Sequence, residues 1–348
     1  MKILVTGANG HIGSHTVRFL LKDGHKVVAF VREGADVRSL EGLEIEFRMG
    51  DIRDSSAVES AVKGCNVVVH HAAVYKFWEK NHSDIIEPAI RGAENIFNAA
   101  KKAGVKRIVY TSSAAAVGLN DGPECRTSDD WNDDAKNPYY VAKTESEKTA
   151  WKIAKETGVE MVVICPCVVL GPQDYRITPS TEIINSMANR RLPHMLIFKG
   201  GYNIVDVRDV AYVHARAVDM KGIVGQRFIV GSENLSIRDI GKLVKKFTGT
   251  TSLYLPLPRF LFLFSMGFLE IIAKLLGLKP LVPTDLVYQH VNRWSWYESG
   301  KTNSTFGLRP RGAEQIVEDC ISWLDEQGRL KPSVSRRRAK LMAASVPG

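Results

Sequence analysis

The chain has 348 residues, 45% of them hydrophobic and 24% charged, with a mean hydropathy of −0.11. That composition suits one large globular domain or two modest ones, and it excludes a fibrous or mostly disordered protein. The formal charge is +9, but the last 18 residues, KPSVSRRRAKLMAASVPG, hold three Arg and two Lys with no acid. Nucleic acid is therefore not expected as a partner, and residues 331–348 are expected to form a basic, disordered tail.

Met1 runs directly into a strand-like KILV, without an apolar leader. The five cysteines (65, 125, 165, 167 and 320) are odd in number and lack zinc-ligand spacing, so no metal and a reducing, cytoplasmic setting are expected. After KILV comes a helical pattern over 11–23, then KVVAFV, IEFRM and a helix near 54–63. CNVVVHHA, a helix near 83–103, RIVYTSS, the helix of NPYYVAKTESEKTAW and EMVVICP follow. The strand candidates are short, rich in Val and Ile, and mostly not alternating, as parallel strands covered on both faces should be. Their alternation with helices predicts an α/β protein with a doubly wound, parallel Rossmann-type sheet.

Beyond Pro172 the pattern becomes a smaller mixed region, with YNIVDVRDVAYVHARAV, RFIV and helices near 236–248 and 312–327. The expected organisation is a dinucleotide-binding domain over 1–172 and a mainly substrate-binding region over 173–330. The chain is expected to cross back to the first domain near 203–232.

Between the first strand and helix, LVTGANGHIGSH spaces Gly7, Gly10 and Gly13 as G-x-x-G-x-x-G. Glycines there allow a tight turn, close approach of a phosphate and tight helix–strand packing, with the helix amino terminus facing a pyrophosphate. The second strand ends AFVRE. An acid at that tip would suit an adenosine ribose, whereas Arg32 suits a 2′-phosphate, so NADP(H) is favoured and NAD(H) stays open beside Glu33. Tyr139 and Lys143 stand four apart on one face of a helix, where an ammonium could lower a phenol pKa for proton transfer. The spacing alone also fits two amphipathic surface side chains.

Taken together, these motifs make the chain resemble the extended short-chain dehydrogenase/reductases. Within them it is most similar to the dihydroflavonol reductase and cinnamoyl-CoA reductase branch, related to the 3β-hydroxysteroid dehydrogenases. TGxxGxxG matches Thr6 to Gly13, which implies cofactor contacts from Gly7, Gly10, His11, Ile12 and Gly13. GDIRD at 50–54 resembles the adenine-contacting segment and implies Asp51 and Ile52. HHAA at 70–73 resembles the strand end along the cofactor, implying Ala72 and Ala73, with His70 and His71 structural. EPAIRG at 87–92 is similar to that branch's Pro-x-x-x-Gly helix rather than the Asn-Val-x-Gly-Thr of sugar epimerases. YTSSAAAVG, DDW at 129–131, YYVAKTESEKTAW and VDVRDVAYVHARA also match, and CPCVVLGP implies Pro166, Val168 and Val169 at the cofactor. The family often has Arg or Asn where this chain has Cys165.

The resemblance implies Tyr139 as general acid or base. It also implies Lys143 as the residue that holds the nicotinamide ribose and lowers the Tyr139 pKa, and Ser113, rather than its neighbours Ser112 and Thr111, as hydrogen-bond partner of the substrate oxygen. The expected activity is NADPH-dependent reduction of a fairly apolar ketone or aldehyde, or the reverse oxidation. An NAD-dependent nucleotide-sugar epimerase or dehydratase is the alternative, and a non-catalytic nucleotide sensor a second. A homodimer accords with the family. Pocket walls are expected near Tyr75–Trp78, Gln173–Ile177 and Leu192–Tyr202. The apolar stretch PRFLFLFSMGFLEIIAKLLGLKPLVP, 258–283, is interrupted by Glu270 and Lys274 and its apolar core is too short to span a bilayer. It is expected to pack against the protein, with peripheral membrane contact as the sharper alternative.

Overall fold

The computed structural model describes residues 1–73, 75–191, 196–254, 258–280 and 282–344. The first half alternates β1 (Lys2–Thr6), α1 (His11–Lys22), β2 (Lys26–Val31), β3 (Glu46–Met49), α2 (Ser55–Val62) and β4 (Val67–His70). It continues with α3 (Ser83–Lys102), β5 (Arg107–Thr111), α4 (Ala114–Val117), α5 (Pro138–Thr157) and β6 (Glu160–Pro166). Then come β7 (Val168–Leu170), α6 (Pro179–Asn189), β8 (Leu196–Ile197), β9 (Gly201–Asp206), α7 (Val207–Ala217) and β10 (Arg227–Val230). The chain closes with β11 (Glu233–Ser236), α8 (Ile237–Thr248), β12 (Leu253–Tyr254), α9 (Arg259–Leu275) and α10 (Thr284–His290). β13 (Trp294–Ser295), α11 (Gly300–Phe306), α12 (Ala313–Glu326) and α13 (Pro332–Ala344) complete it.

Seven strands form one parallel sheet in the order β10-β6-β5-β4-β1-β2-β3, which is the doubly wound arrangement expected. From β1 the winding goes one way to β2 and β3 and the other way to β4, β5 and β6. A crevice therefore opens beyond the carboxyl ends of β1 and β4, where such folds bind dinucleotides. The Val and Ile runs of β1, β4, β5 and β6 are buried on both faces, as continuous apolar patterns require. β3 departs from that pattern. It is an edge strand, with Phe47 41% and Met49 56% exposed. A second, mixed sheet is built on β9, which pairs with β7, β11 and β13. Its core includes Leu170, Ile184, Ile240, Ile316 and Leu324, and packs α6, α8 and α12 together.

The basic end is helical rather than disordered up to Ala344; 345–348 lie outside the described residues. Composition argued for disorder, but α13 gains partners from distant segments. Val334 is buried in the second core, Arg337 donates to the Gly249 carbonyl at 3.0 Å, and Arg338 donates to Ser322 Oγ at 2.6 Å. Val334→Asp would place an unpaired carboxylate in that core, so the urea unfolding free energy should fall by about 2 kcal/mol. An unchanged midpoint would mean that α13 is not docked.

Candidate active site

β1 delivers the chain into Gly7, whose φ of +64° is a left-handed conformation, and a Cβ there would press within 3.0 Å of the Ala72 backbone. Gly10 caps α1 with no side-chain hydrogen bond, so the first-turn N–H groups of His11, Ile12 and Gly13 have no side-chain cap competing for them. A Cβ on Gly13 would collide with the Gly7 carbonyl oxygen. This is a cradle made of backbone alone, and it fits a dinucleotide pyrophosphate. His11 and His15 each direct Nε2 at the Pro172 carbonyl, at 3.0 and 3.2 Å, so both carry their proton on Nε2 and tie the loop after β7 to the glycine turn.

At the other end of the crevice, Arg32 is exposed just past β2. Arg38 forks onto the Asp36 carboxylate (2.8 Å), and the Asp36 carbonyl accepts from Asn9 Nδ2 (2.8 Å) and Arg176 (3.4 Å). Arg38 and Arg176 thus join Arg32 on that rim, an addition the motif reading lacked although Arg38 follows Arg32 by six residues. Asp51 is half-buried past β3; hydrogen bonds from Arg53 hold its carboxyl below the usual range. The Ile52 carbonyl accepts from Asn95 at 2.9 Å, and its side chain faces Gly92, where a Cβ would come within 3.3 Å.

Between these ends three predicted residues converge. Ser113 caps α4, its Oγ accepting from the Ala115 N–H at 3.1 Å. Tyr139 stands in the first turn of α5, and its hydroxyl donates to Ser113 Oγ at 3.4 Å. One turn on, Lys143 Nζ donates to the Thr111 carbonyl at 3.4 Å. The expected lowering of the Tyr139 pKa is not what this geometry produces. Burial pushes the phenol upward, Tyr75 adds to the rise and the Ser113 hydrogen bond only partly offsets it, while burial also pulls Lys143 down to about 8. The Ala72 N–H donates to Thr6 Oγ1 at 3.2 Å, and Ala72, Ala73, Thr111 and Lys143 line a small hollow. Pro166 ends β6 opposite Val230, while Val168 and Val169 pair with Ile204 and Val205.

An aromatic cluster surrounds Tyr139: the rings of Tyr75, Phe77 and Tyr140 lie 4.9, 5.1 and 5.7 Å away. Tyr140 Oη is 2.8 Å from His290 Nε2, and Tyr202 approaches the other ring nitrogen at 3.5 Å. Of the expected pocket walls, Tyr75, Phe77 and Tyr202 join this cluster, whereas Tyr175 turns away to Trp323 (5.0 Å) and Arg38 (5.4 Å). Residues 192–195 of that expectation lie outside the described residues.

Two buried polar networks were not visible as motifs. Glu147, fully buried on α5, accepts from Ser112 Oγ at 2.5 Å, from Trp151 Nε1 at 3.1 Å and from Arg227 Nη2 at 3.2 Å. The second joins His71, Thr111 and His214. His214 Nδ1 faces the Val210 carbonyl at 2.8 Å and must donate, so its Nε2 accepts from the Thr111 hydroxyl at 2.9 Å. Thr111 Oγ1 in turn accepts from His71 Nδ1 at 2.8 Å. Burial keeps these rings neutral: His214 falls to about 4, His70 to about 3, and His71 well below its ordinary value, while His15 falls to about 4. Because unfolding restores ordinary histidine affinity for protons, the unfolded chain binds more protons below about pH 6.5. Stability should therefore be fully present above that pH and decline as pH falls towards about 4. Urea midpoints between pH 7 and 5 check this; a flat profile would contradict it.

The geometry can be set against known proteins. Residues 3–231 match the model of the NAD dependent epimerase/dehydratase family. The chain belongs to that family. It is an extended short-chain dehydrogenase/reductase, an NAD(P)-dependent enzyme acting at CH–OH or C=O groups. A Synechocystis protein provisionally named dihydroflavonol 4-reductase is 32% identical over 94% of this chain and 95% of its own length. Sterol demethylase protein B of Methylococcus capsulatus is 28% identical over 94% of this chain and 99% of its own. The crystal structure of gox2253 superposes with a TM-score of 0.82 at 29% identity, covering 94% of this chain and 99% of that one.

Proposed function

We propose that this family member is an NADPH-dependent reductase of a fairly apolar ketone or aldehyde, running as an alcohol dehydrogenase in reverse. The convergence of Tyr139 Oη on Ser113 Oγ beside Lys143 carries the reading. Ser113 Oγ holds the substrate oxygen, and Tyr139 Oη gives it a proton, or removes one from the alcohol in the other direction. A phenol pushed up by burial stays protonated at neutral pH, the state an acid in the reduction needs. Lys143 holds the nicotinamide ribose and supplies positive charge beside the phenol. Bound nicotinamide supplies the hydride, and the protein supplies orientation and electrostatics.

In this reading the glycine turn with His11 and Ile12 holds the pyrophosphate, Asp51 and Ile52 the adenine, and Arg32 a 2′-phosphate. Ala72, Ala73, Pro166, Val168 and Val169 line the nicotinamide half. Residues 1–172 form the cofactor side and 173–330 mainly the substrate side. The aromatic cluster around Tyr139 supports an apolar substrate, and the reductase and sterol-related names of the two relatives accord with it.

Tyr139→Phe should lower kcat by about 10²–10⁴-fold while NADPH still binds. Undiminished turnover by that variant would overturn the proton-transfer role. Arg32→Ala should weaken NADPH by about tenfold and leave NADH unchanged, as titration of nucleotide-free protein would show. Mass spectrometry of released nucleotide completes the test: tightly held, near-stoichiometric NAD⁺ would favour the epimerase or dehydratase reading instead.

A further inference from the structure

α9 packs on α10, yet it turns most of its large side chains outward. Phe260, Phe264, Phe268, Ile271 and Leu275 are 66, 77, 60, 58 and 81% exposed and recur every three or four residues along one face. The opposite face contains the polar anchor: Glu270 accepts the Thr284 N–H at 2.8 Å, at the start of α10. The expectation that this stretch packs against the protein therefore holds for one face only, and the other apolar face is bare. Among the described residues no helix is long and apolar enough to cross a membrane.

We propose that this face of α9 lies flat in the interface of an anionic lipid bilayer. Three observations favour a bilayer over a second copy of the chain. The bare strip belongs to one 17-residue helix, about 25 Å long and one helix wide, a long narrow shape rather than the broad patch that a stable protein interface covers. An interfacial helix needs only such a strip, sunk about 5–10 Å among headgroups and acyl chains. Charge agrees: residues 258–283 contain Arg259, Lys274 and Lys279 against one acid, Glu270, which is turned inward. Lys279 lies 5.4 Å over the Trp78 ring and so brings the segment of Lys76 and Lys80 alongside the strip. Lys76 is paired with Glu79, and Arg259 with Asp121, whereas Lys80 and Lys279 are exposed cations available to headgroups.

The test is co-sedimentation of the full chain with phosphatidylcholine vesicles, with and without phosphatidylglycerol. The wild type should partition onto the phosphatidylglycerol vesicles and be weakened by salt. The double variant Phe264→Asp, Phe268→Asp should lose about tenfold or more in partitioning, with an unchanged melting temperature. Failure of the wild type to bind overturns the proposal, as does full binding by the variant. Equal binding to both vesicle types overturns the anionic requirement. A wild-type dimer that the double variant converts to monomer would assign the strip to a second copy.

Discussion

A carboxylate with no exposure to water, Glu147, holds the Ser113–Tyr139 end of this molecule in register. It lies on the same face of α5 as Tyr139 and Lys143, two turns and one turn further along. From there it reaches Ser112 at the end of β5 and Arg227 at the start of β10. Arg227 also donates to the carbonyls of Ser128 and Asp130 and lies 4.1 Å over the Trp131 ring, so the loop between α4 and α5 is tied to the same point. Losing one partner of such a buried pair typically costs about 3–5 kcal/mol, because the other charge is stranded. The knot thereby fixes Ser112, the immediate neighbour of Ser113.

Burial is the second theme, and it acts on acids and bases alike. The same low-dielectric surroundings raise the Tyr139 phenol, lower Lys143 to about 8 and keep His70, His71 and His214 neutral. Uncharged rings beside the strand ends place no competing positive charge around the Lys143 ammonium. The hydrogen-bond order from His71 through Thr111 to His214 fixes the tautomers, and Thr111 is also the residue whose carbonyl receives Lys143. Side-chain and main-chain groups of one residue thereby link the histidines to the lysine.

Most of the parallel sheet could be read from the chain, because β-branched runs and the glycine turn are local signals. The Ser113, Tyr139 and Lys143 set was legible through its motifs, and the three do converge. What the sequence hid depends on partners far away along it. Composition cannot show that Val334 meets a core built from α6, α8 and α12, nor that Tyr175 packs on Trp323 and Arg38 rather than in the aromatic cluster around Tyr139. Spacing placed Lys143 one turn from Tyr139 but could not show how deeply both would be buried. His214 gives no sign in VAYVHARA that it will meet a threonine 103 residues earlier.

Asn137 has no exposure, and its two amide ends do different work. Its oxygen accepts from the Tyr139 N–H at 3.1 Å and caps α5, while its nitrogen donates to the Phe77 carbonyl at 2.8 Å and to Asp285 of α10 at 3.1 Å. The start of the Tyr139 helix, the aromatic wall and the helix beneath α9 are thus fastened by one planar group. Lifting α10 away would pull on the group that seats Tyr139, so the mouth of the pocket and the aim of its phenol behave as a single latch.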